Sequence, residues 1–388
     1  MTNIFYRATS PLASAILLIF LGKQLSVVEF GSYSIYISIS ALISMFAAGI
    51  YRKSLVRFGS SDKRNLFGLL LSVIIISVVI LCCSLIFHLF GSAFVALVML
   101  FAAGTLIYDS VLDTLIVLDN FIVFAILSIL RPTLIIFIMT YYTITDIEGA
   151  IAIIAITYLV LGCLAAILLM TRYMREKAIF RFFQYAQYAL PLLAGSIFTY
   201  IIDNSGRFLI LHFSDPQALG IFAFTYSAGQ QAVGSIMTVI YSTYFPKLVR
   251  SYDAKDSDTF SNLKYFLLKC YIIVLLGIFI TYLIIDKILL LLNLTDYQGN
   301  SLLFLIIMVA IWLGTVKTYY VDLVFLLRKE TGVLFNILVF GALVTVTIGY
   351  FLVPNFAAYG AGLASFFGFL LMLFMSMRIS ALRFREID

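Results

Sequence analysis

Long apolar runs separated by short polar segments cover almost the whole chain, from Pro11 to Arg378. A run of about 20 apolar residues is long enough to cross a bilayer as one helix. The runs predict twelve membrane-spanning helices, at residues 8–28, 32–50, 66–88, 91–118, 121–142, 150–171, 188–212, 218–245, 263–285, 301–327, 331–353 and 357–378. We therefore expect an all-α polytopic membrane protein with no soluble catalytic domain.

The composition agrees with this pattern, since 63 % of the 388 residues are hydrophobic and 11 % are charged. An average soluble domain carries about 25 % charged residues. The four cysteines lie inside apolar runs without C-x-x-C spacing, which is typical of packing residues. The sequence contains no phosphate-binding loop motif and no cluster with metal-ligand spacing. We therefore expect no cofactor and no metal, and we do not expect an enzyme.

Basic residues are distributed unevenly among the segments that connect the predicted spans. With a cytoplasmic N-terminus, the inner segments hold 20 of the 25 Lys and Arg residues, and the outer segments hold only Lys23 and Lys287. Positively charged loops stay on the cytoplasmic side of a membrane. The distribution predicts an even number of spans with both termini in the cytoplasm. It also accounts for the net charge of +6 without nucleic-acid binding.

The two halves of the sequence contain similar motifs at corresponding positions. SVVEFGSYSIYIS (26–38) follows the first span, and DPQALGIFAFTYS (215–227) follows the seventh. Each places a glycine, Gly31 or Gly220, two residues before an aromatic side chain. A basic motif after spans two and eight and a Gly-Thr pair in spans four and ten correspond as well. These similarities predict an internal repeat of six helices.

A repeat with an even number of spans gives both halves the same orientation, with a pseudo-two-fold axis along the membrane normal. We expect an N-terminal bundle of residues 1–171 and a C-terminal bundle of residues 188–388. Transporters built in this way bind substrate between the halves and rock one half against the other. The connecting segment 172–187 is basic and aromatic, which predicts either an amphipathic helix on the cytoplasmic surface or a solvated loop.

Seven charged residues lie within the predicted spans, where the orientation does not explain them. They are Arg131, Arg207, Lys317, Asp109, Asp113, Asp203 and Asp322. Charged side chains at membrane depth face the bundle interior or a water-filled cavity, because hydrocarbon does not solvate them. Such residues are candidates for substrate binding, although a buried ion pair can also have a purely structural role.

Helical spacing suggests which of these charges can meet. Asp203 and Arg207 are one turn apart and can pair, and the polar residues of span eight that would face the same cavity include Gln231. On an α-helix, Lys317 and Asp322 are about 140° apart, so they need not share a face.

Two acids in span four form a second arrangement. Asp109 and Asp113 share one face of the helix, and we expect them to neutralise one of the three intramembrane cations. Arg131 precedes Pro132, which frees a backbone carbonyl one turn earlier and gives a polar site beside the cation.

The chain resembles the Wzx-type O-antigen and polysaccharide flippases of the multidrug/oligosaccharidyl-lipid/polysaccharide (MOP) exporter superfamily. The similarity lies in SPLASAILLIFLGKQLSVVEFGSYSIYISI (10–39), LVRFG (55–59), YSTYFPKLVRSYDAKD (241–256) and the twelve-span layout. It implies a protein of the bacterial inner membrane that moves an undecaprenyl-pyrophosphate-linked oligosaccharide from the cytoplasmic to the periplasmic leaflet by alternating access. The implied partners are this glycan, membrane lipids and other polysaccharide-assembly proteins.

The resemblance also implies a cationic cavity that holds the headgroup, while the polyprenyl tail stays in lipid. The candidates for substrate binding in this sequence are Arg207, Lys317, Arg131, Asp203, Arg7, Arg52 and Gln231, with Arg7 and Arg52 at the cytoplasmic mouth. The candidates for ion coupling are Asp109, Asp113, Asp203 and Asp322.

Two other functions compete with this interpretation. A multidrug or cation antiporter of the same superfamily would use the intramembrane acids to bind its substrate or a coupling ion. A polysaccharide polymerase or ligase would carry catalytic residues on a long periplasmic loop. The longest predicted outer loop spans only residues 286–300, which makes the enzyme the weaker alternative.

Overall fold

The computed structural model describes residues 2–58, 63–142, 146–173, 182–254, 256–327 and 330–384. Within these ranges, every regular element is helical. Nine of the described helices are long and apolar enough to cross a membrane. The prediction of an all-α multi-pass membrane protein is confirmed, while the count of twelve spans and the symmetry of the bundles stay predictions.

Seven helices form the first part of the chain. They are α1 (Thr2–Gln24), α2 (Val27–Phe58), α3 (Lys63–Leu89), α4 (Ala93–Val117), α5 (Phe121–Tyr141), α6 (Ile147–Tyr173) and α7 (Phe182–Phe213). Helix α2 extends well beyond the predicted span at residues 32–50, so Arg52 belongs to the helix and not to a connecting loop.

The second part of the chain contains helices interrupted by short segments of other geometry. They are α8 (Pro216–Gly229), α9 (Ser235–Asp253), α10 (Ser257–Leu291), α11 (Ser301–Val316), α12 (Leu323–Leu327) and α13 (Thr331–Phe384). A π-helical segment at Gln230–Gly234 joins α8 to α9, and another at Lys317–Val321 follows α11. Ala357, with φ of 47° and ψ of −122°, divides α13 into two helices close to the predicted boundary.

The chain divides into two compact units. The N-terminal unit is Ser32–Ser196, and the C-terminal unit combines Met1–Gly31 with Ile197–Asp388. Helix α1 therefore belongs with the C-terminal helices, where it packs against α8 and α9. This division differs from the predicted bundles 1–171 and 188–388 in the placement of α1 and the first half of α7. Residues 174–181 of the predicted connecting segment 172–187 lie outside the described residues.

The two repeat-related helices, α2 and α8, begin with side-chain caps. Ahead of α2, the Ser26 N–H donates to a Glu29 carboxylate oxygen at 2.9 Å, and the Glu29 N–H donates to the Ser26 hydroxyl at 3.3 Å. Ahead of α8, the Asp215 carboxylate accepts from the Ala218 N–H at 2.6 Å, with Pro216 in the first turn. These contacts satisfy backbone donors that the first turn of a helix leaves open.

The corresponding glycines of the two motifs touch each other. A Cβ atom added to Gly31 would lie 2.9 Å from the backbone nitrogen of Gly220. A Cβ atom added to Gly220 would overlap the carbonyl group of Val27. The first turns of α2 and α8 therefore meet backbone to backbone, a close approach that small residues allow between membrane helices.

Substitution of Gly220→Ala should destabilise the protein, because the new methyl group has no space against the Val27 carbonyl. Overpacking of this kind costs about 1–3 kcal/mol. We expect a lower apparent Tm for the detergent-purified variant. The matched control is Gly277→Ala, since a Cβ atom there meets nothing within 4 Å. Equal Tm values for the two variants would contradict the close contact.

Candidate functional site

Three of the predicted site residues, Arg52, Asp109 and Asp113, line a cavity of about 690 Å³ in the N-terminal unit. Helices α2, α4, α6 and α7 supply its walls. Besides these three residues, the polar and aromatic lining includes Tyr33, Ser44, Lys53, Phe101, Thr105, Tyr158 and Ser196. Cavities of about 300–1,000 Å³ are typical of small-molecule sites.

Arg52 holds both carboxylates of α4 at once. Its Nε atom and one terminal nitrogen donate to Asp113 Oδ2 at 3.1 and 2.9 Å. The other terminal nitrogen donates to Asp109 Oδ2 at 3.3 Å. This arrangement uses three of the five N–H donors of the guanidinium. The side chains of Arg52, Asp109 and Asp113 are 32, 40 and 29 % exposed, so the group remains accessible from the cavity.

The cation held by Asp109 and Asp113 is not one of the three that the sequence suggested. The sequence predicts that the acids neutralise Arg131, Arg207 or Lys317, and it places Arg52 in a cytoplasmic segment. Because α2 runs without interruption to Phe58, it carries Arg52 alongside α4. The absence of glycine and proline from residues 51–58 could have shown that the helix continues through Arg52, but not which helix lies beside it.

Arg131 is buried against aromatic rings in the same unit, with 7 % of the residue exposed. Its guanidinium carbon lies 5.5 Å from the ring centre of Tyr108 and 5.1 Å from that of Tyr158. Aromatic faces attract cations at such distances. Tyr158 also lines the cavity, so this ring contacts both the cavity and the Arg131 cation.

Asp203 and Arg207 are linked through a tyrosine of α8 in the C-terminal unit. The Tyr226 hydroxyl donates to Asp203 Oδ1 at 2.9 Å, while its ring centre lies 5.4 Å from the Arg207 guanidinium carbon. Arg207 also donates to the Asn204 side-chain oxygen at 2.6 Å. The sequence predicted the one-turn spacing but missed Tyr226, because residue spacing on one helix does not reveal what a neighbouring helix contributes. It also missed Asn204, although this residue lies three positions before Arg207 on α7.

Lys317 and Asp322 form a buried ion pair, contrary to the expectation from α-helical geometry. The intervening segment is π-helical, and the Asp322 N–H donates to the Lys317 carbonyl at 2.8 Å. This i to i+5 turn brings the two side chains to the same face. Lys317 Nζ lies 2.7 Å from Asp322 Oδ2, and the side chains are only 3 and 5 % exposed. The Ser376 hydroxyl donates to Asp322 Oδ1 at 2.8 Å, which binds the pair to α13.

The remaining candidates, Arg7 and Gln231, lie in the C-terminal unit. Arg7 on α1 donates to the Ser242 carbonyl on α9 at 3.2 Å. Gln231 in the π-helical segment accepts from the Ser235 hydroxyl at 3.2 Å. The predicted residues thus form separate groups, of which the group around Arg52 lines the polar cavity.

Neither the known protein families nor the curated proteins contain a match to this sequence. Solved structures do match. A MATE-family multidrug transporter of the MOP superfamily in an inward-facing conformation has a TM-score of 0.66 at 15 % identity, covering 97 % of this chain and 94 % of its own.

Two further structures extend this likeness. A mutant of the Vibrio cholerae MATE transporter VcmN has a TM-score of 0.65 at 12 % identity, covering 99 % of this chain and 96 % of its own. A MOP-superfamily transporter from Pyrococcus furiosus, whose binding pocket has reverse polarity, has a TM-score of 0.60 at 12 % identity. The match covers 98 % of this chain and 94 % of its own. At these identities the likeness concerns the fold, and this chain is similar in fold to MATE transporters of the MOP superfamily.

Substitution of Lys317→Met should strongly destabilise the protein, since it leaves the Asp322 carboxylate buried without its cation. Removal of one partner of a buried pair costs about 3–5 kcal/mol. Thermal unfolding in detergent should show a large decrease in Tm. The exposed Lys23 provides the control, since Lys23→Ala should leave the Tm unchanged.

The double variant Lys317→Met/Asp322→Leu separates the pair from the individual residues. Replacing a buried pair by apolar side chains of similar size is often neutral or stabilising, so this variant should recover most of the lost Tm. A double variant that is as unstable as the single variant would contradict this interpretation.

Proposed function

We propose that this protein is a flippase that moves an undecaprenyl-pyrophosphate-linked oligosaccharide, an O-antigen or related repeat unit, from the cytoplasmic to the periplasmic leaflet of the bacterial inner membrane. The observation that carries the proposal is the polar cavity of the N-terminal unit. It combines two cations with hydroxyl groups and aromatic rings, contributed by Arg52, Lys53, Ser44, Thr105, Tyr33, Phe101 and Tyr158. The similarity in fold to MOP-superfamily transporters supports an alternating-access mechanism.

The chemistry of this lining suits a sugar-phosphate headgroup. Guanidinium groups bind phosphate oxygens in a bidentate manner. In the observed arrangement, two of the five Arg52 N–H donors remain for a phosphate. The aromatic side chains and hydroxyls nearby provide the apolar faces and the few polar groups typical of a site for an organic ligand.

Asp109 and Asp113 give this site a means of coupling to protons. The two carboxylates hold Arg52, and a pyrophosphate that binds in the cavity competes with them for the guanidinium. Protonation of a carboxylate weakens its hold on the cation and favours the complex with the phosphate. Asp109 and Asp113 are therefore the proposed proton-coupling residues of the N-terminal unit.

The other candidate residues have different proposed roles. Arg131 and Arg207 remain headgroup candidates, because aromatic rings and a neutral amide are among the groups that hold them. Lys317 and Asp322 are proposed to stabilise the fold, since they are enclosed and satisfy each other. Asp203 is proposed to position Tyr226 beneath Arg207.

A multidrug or cation antiporter is the second candidate function. It is favoured by the Asp109 side chain, which is 40 % exposed at the cavity, and by the MATE transporters that share the fold. The Pyrococcus furiosus protein, with the reverse polarity of its pocket, indicates that pocket charge distinguishes functions within this fold. The charge carried by the substrate is therefore the property to test.

Substitution of Arg52→Ala should reduce flipping of a fluorescent polyprenyl-pyrophosphate-linked oligosaccharide in reconstituted vesicles by about 10- to 150-fold. This range corresponds to the loss of a charged hydrogen-bonding contact worth about 1.5–3 kcal/mol. Arg52→Lys should keep part of the activity, because an ammonium retains the charge but not the bidentate geometry. Lys23→Ala is the control on the same assay.

The same vesicles can be tested with a cationic dye. Dye transport that depends on Asp109 and Asp113, together with glycolipid flipping no faster than in empty vesicles, would support the antiporter and overturn the flippase. Wild-type flipping by Arg52→Ala would show that the cavity does not bind the headgroup.

A further inference from the structure

A second cavity, an apolar groove of about 620 Å³, lies within the C-terminal unit. Helices α1, α8, α9, α10 and α11 contribute to its walls. Its lining is almost entirely hydrocarbon, with Leu12, Ala15, Phe224 and Ile236 among the side chains that form it. Such a surface binds an apolar chain and offers nothing to a sugar or a free phosphate.

The hydroxyl groups in this lining are already hydrogen-bonded within the protein. The Ser235 hydroxyl donates to Gln231, and the Thr281 hydroxyl donates to the Gly277 carbonyl at 2.8 Å. A hydrocarbon occupant therefore does not leave these hydroxyl groups without hydrogen bonds, which would be costly in an apolar environment.

The groove is open along its side. Leu12 on α1 and Ile236 on α9 line it and are 64 and 48 % exposed. Leu12 belongs to a helix that is long and apolar enough to cross a membrane, so lipid hydrocarbon is a favourable environment for it. A lipid chain can thus enter the groove through this opening in the C-terminal unit.

The length of the groove distinguishes between lipid chains. At 1.5 Å per residue, its lining extends about 17 Å along α1, over residues 8–19, and about 24 Å along α8 and α9, over residues 224–240. One leaflet provides about 15 Å of hydrocarbon, half of the bilayer core. Along α8 and α9 the groove is longer than one leaflet is thick, and a polyprenyl chain that exceeds this length can occupy all of it.

A cationic side chain, that of Arg7, lies at one end of the groove. Arg7 immediately precedes Ala8, the first lining residue of α1, and it donates to the carbonyl of Ser242, two residues beyond Ile240 on α9. The guanidinium therefore lies at the end of the groove that is lined by Ala8 on α1 and Ile240 on α9. This position complements the charge of a phosphate attached to the chain in the groove.

We infer that this groove binds the polyprenyl chain of the lipid-linked substrate, with Arg7 next to the phosphate end. The inference rests on the proposed function, and it differs from the expectation that the tail stays in bulk lipid. The protein then recognises the lipid carrier as well as the glycan, and carriers with chains much shorter than the groove bind less tightly.

The test uses the full chain in nanodiscs with two photoactivatable probes, undecaprenyl phosphate and phosphatidylglycerol. Mass spectrometry locates the crosslinked peptides. The undecaprenyl probe should label peptides of α1 and α9, and unlabelled undecaprenyl phosphate should compete while unlabelled phosphatidylglycerol should not. Equal labelling and competition by both lipids would overturn the inference, because the groove would then hold any membrane lipid.

Two variants narrow the groove from different elements, Ala15→Phe on α1 and Ala232→Phe in the π-helical segment. Either one should reduce undecaprenyl labelling several-fold, so the test does not depend on the folding of a single variant. The control is Ala93→Phe, at an exposed alanine of α4 outside the groove. Labelling unchanged by the folded groove variants would overturn the inference.

Binding is measured here without transport, so the two proposals fail separately. Groove-dependent labelling by a protein that flips no glycolipid would overturn the flippase and leave a polyprenyl-phosphate site. If the protein flips the glycolipid but Ala15→Phe and Ala232→Phe leave its labelling unchanged, only the inference about the groove is overturned.

Discussion

Charge inside the membrane-spanning helices must be matched by nearby protein groups, because hydrocarbon solvates neither a cation nor a carboxylate. The described charges show three ways of doing so. Lys317 and Asp322 enclose each other almost completely. Arg52 joins two carboxylates at the edge of a cavity. Arg131 and Arg207 lie against tyrosine rings. The Lys317–Asp322 pair is closed to a ligand, which is typical of a structural pair. Arg52 and its two carboxylates are partly exposed, so they remain a candidate binding group.

Departures from regular α-helix geometry place several of these groups. The π-helical turn after α11 makes the Lys317 pair geometrically feasible, and the one between α8 and α9 contains Gln231, which lines the apolar groove. Single π-helical turns occur frequently at functional sites, because they change which residues share a face. In this protein they occur in helices that carry candidate residues.

The two compact units contain linings of different chemistry. The N-terminal unit contains the polar cavity with Arg52 and the tyrosines, and the C-terminal unit contains the apolar groove with Arg7 at its end. Each feature follows from residues within one unit. Under the proposed function, the polar lining suits the charged headgroup of the substrate, and the apolar lining suits its polyprenyl chain.

The sequence by itself determined the helical membrane class, the approximate helix positions, the corresponding glycines and the set of intramembrane charges. These properties depend on local composition and period, which hydropathy and spacing reveal directly. Only the tertiary structure decided which charges meet. Arg52 pairs with Asp109 and Asp113 because two helices lie side by side, Tyr226 joins Asp203 to Arg207 from a neighbouring helix, and a π-helical turn brings Lys317 to Asp322. Residue spacing along one ideal helix contains none of this information, because it describes neither the neighbouring helices nor local departures from 3.6 residues per turn.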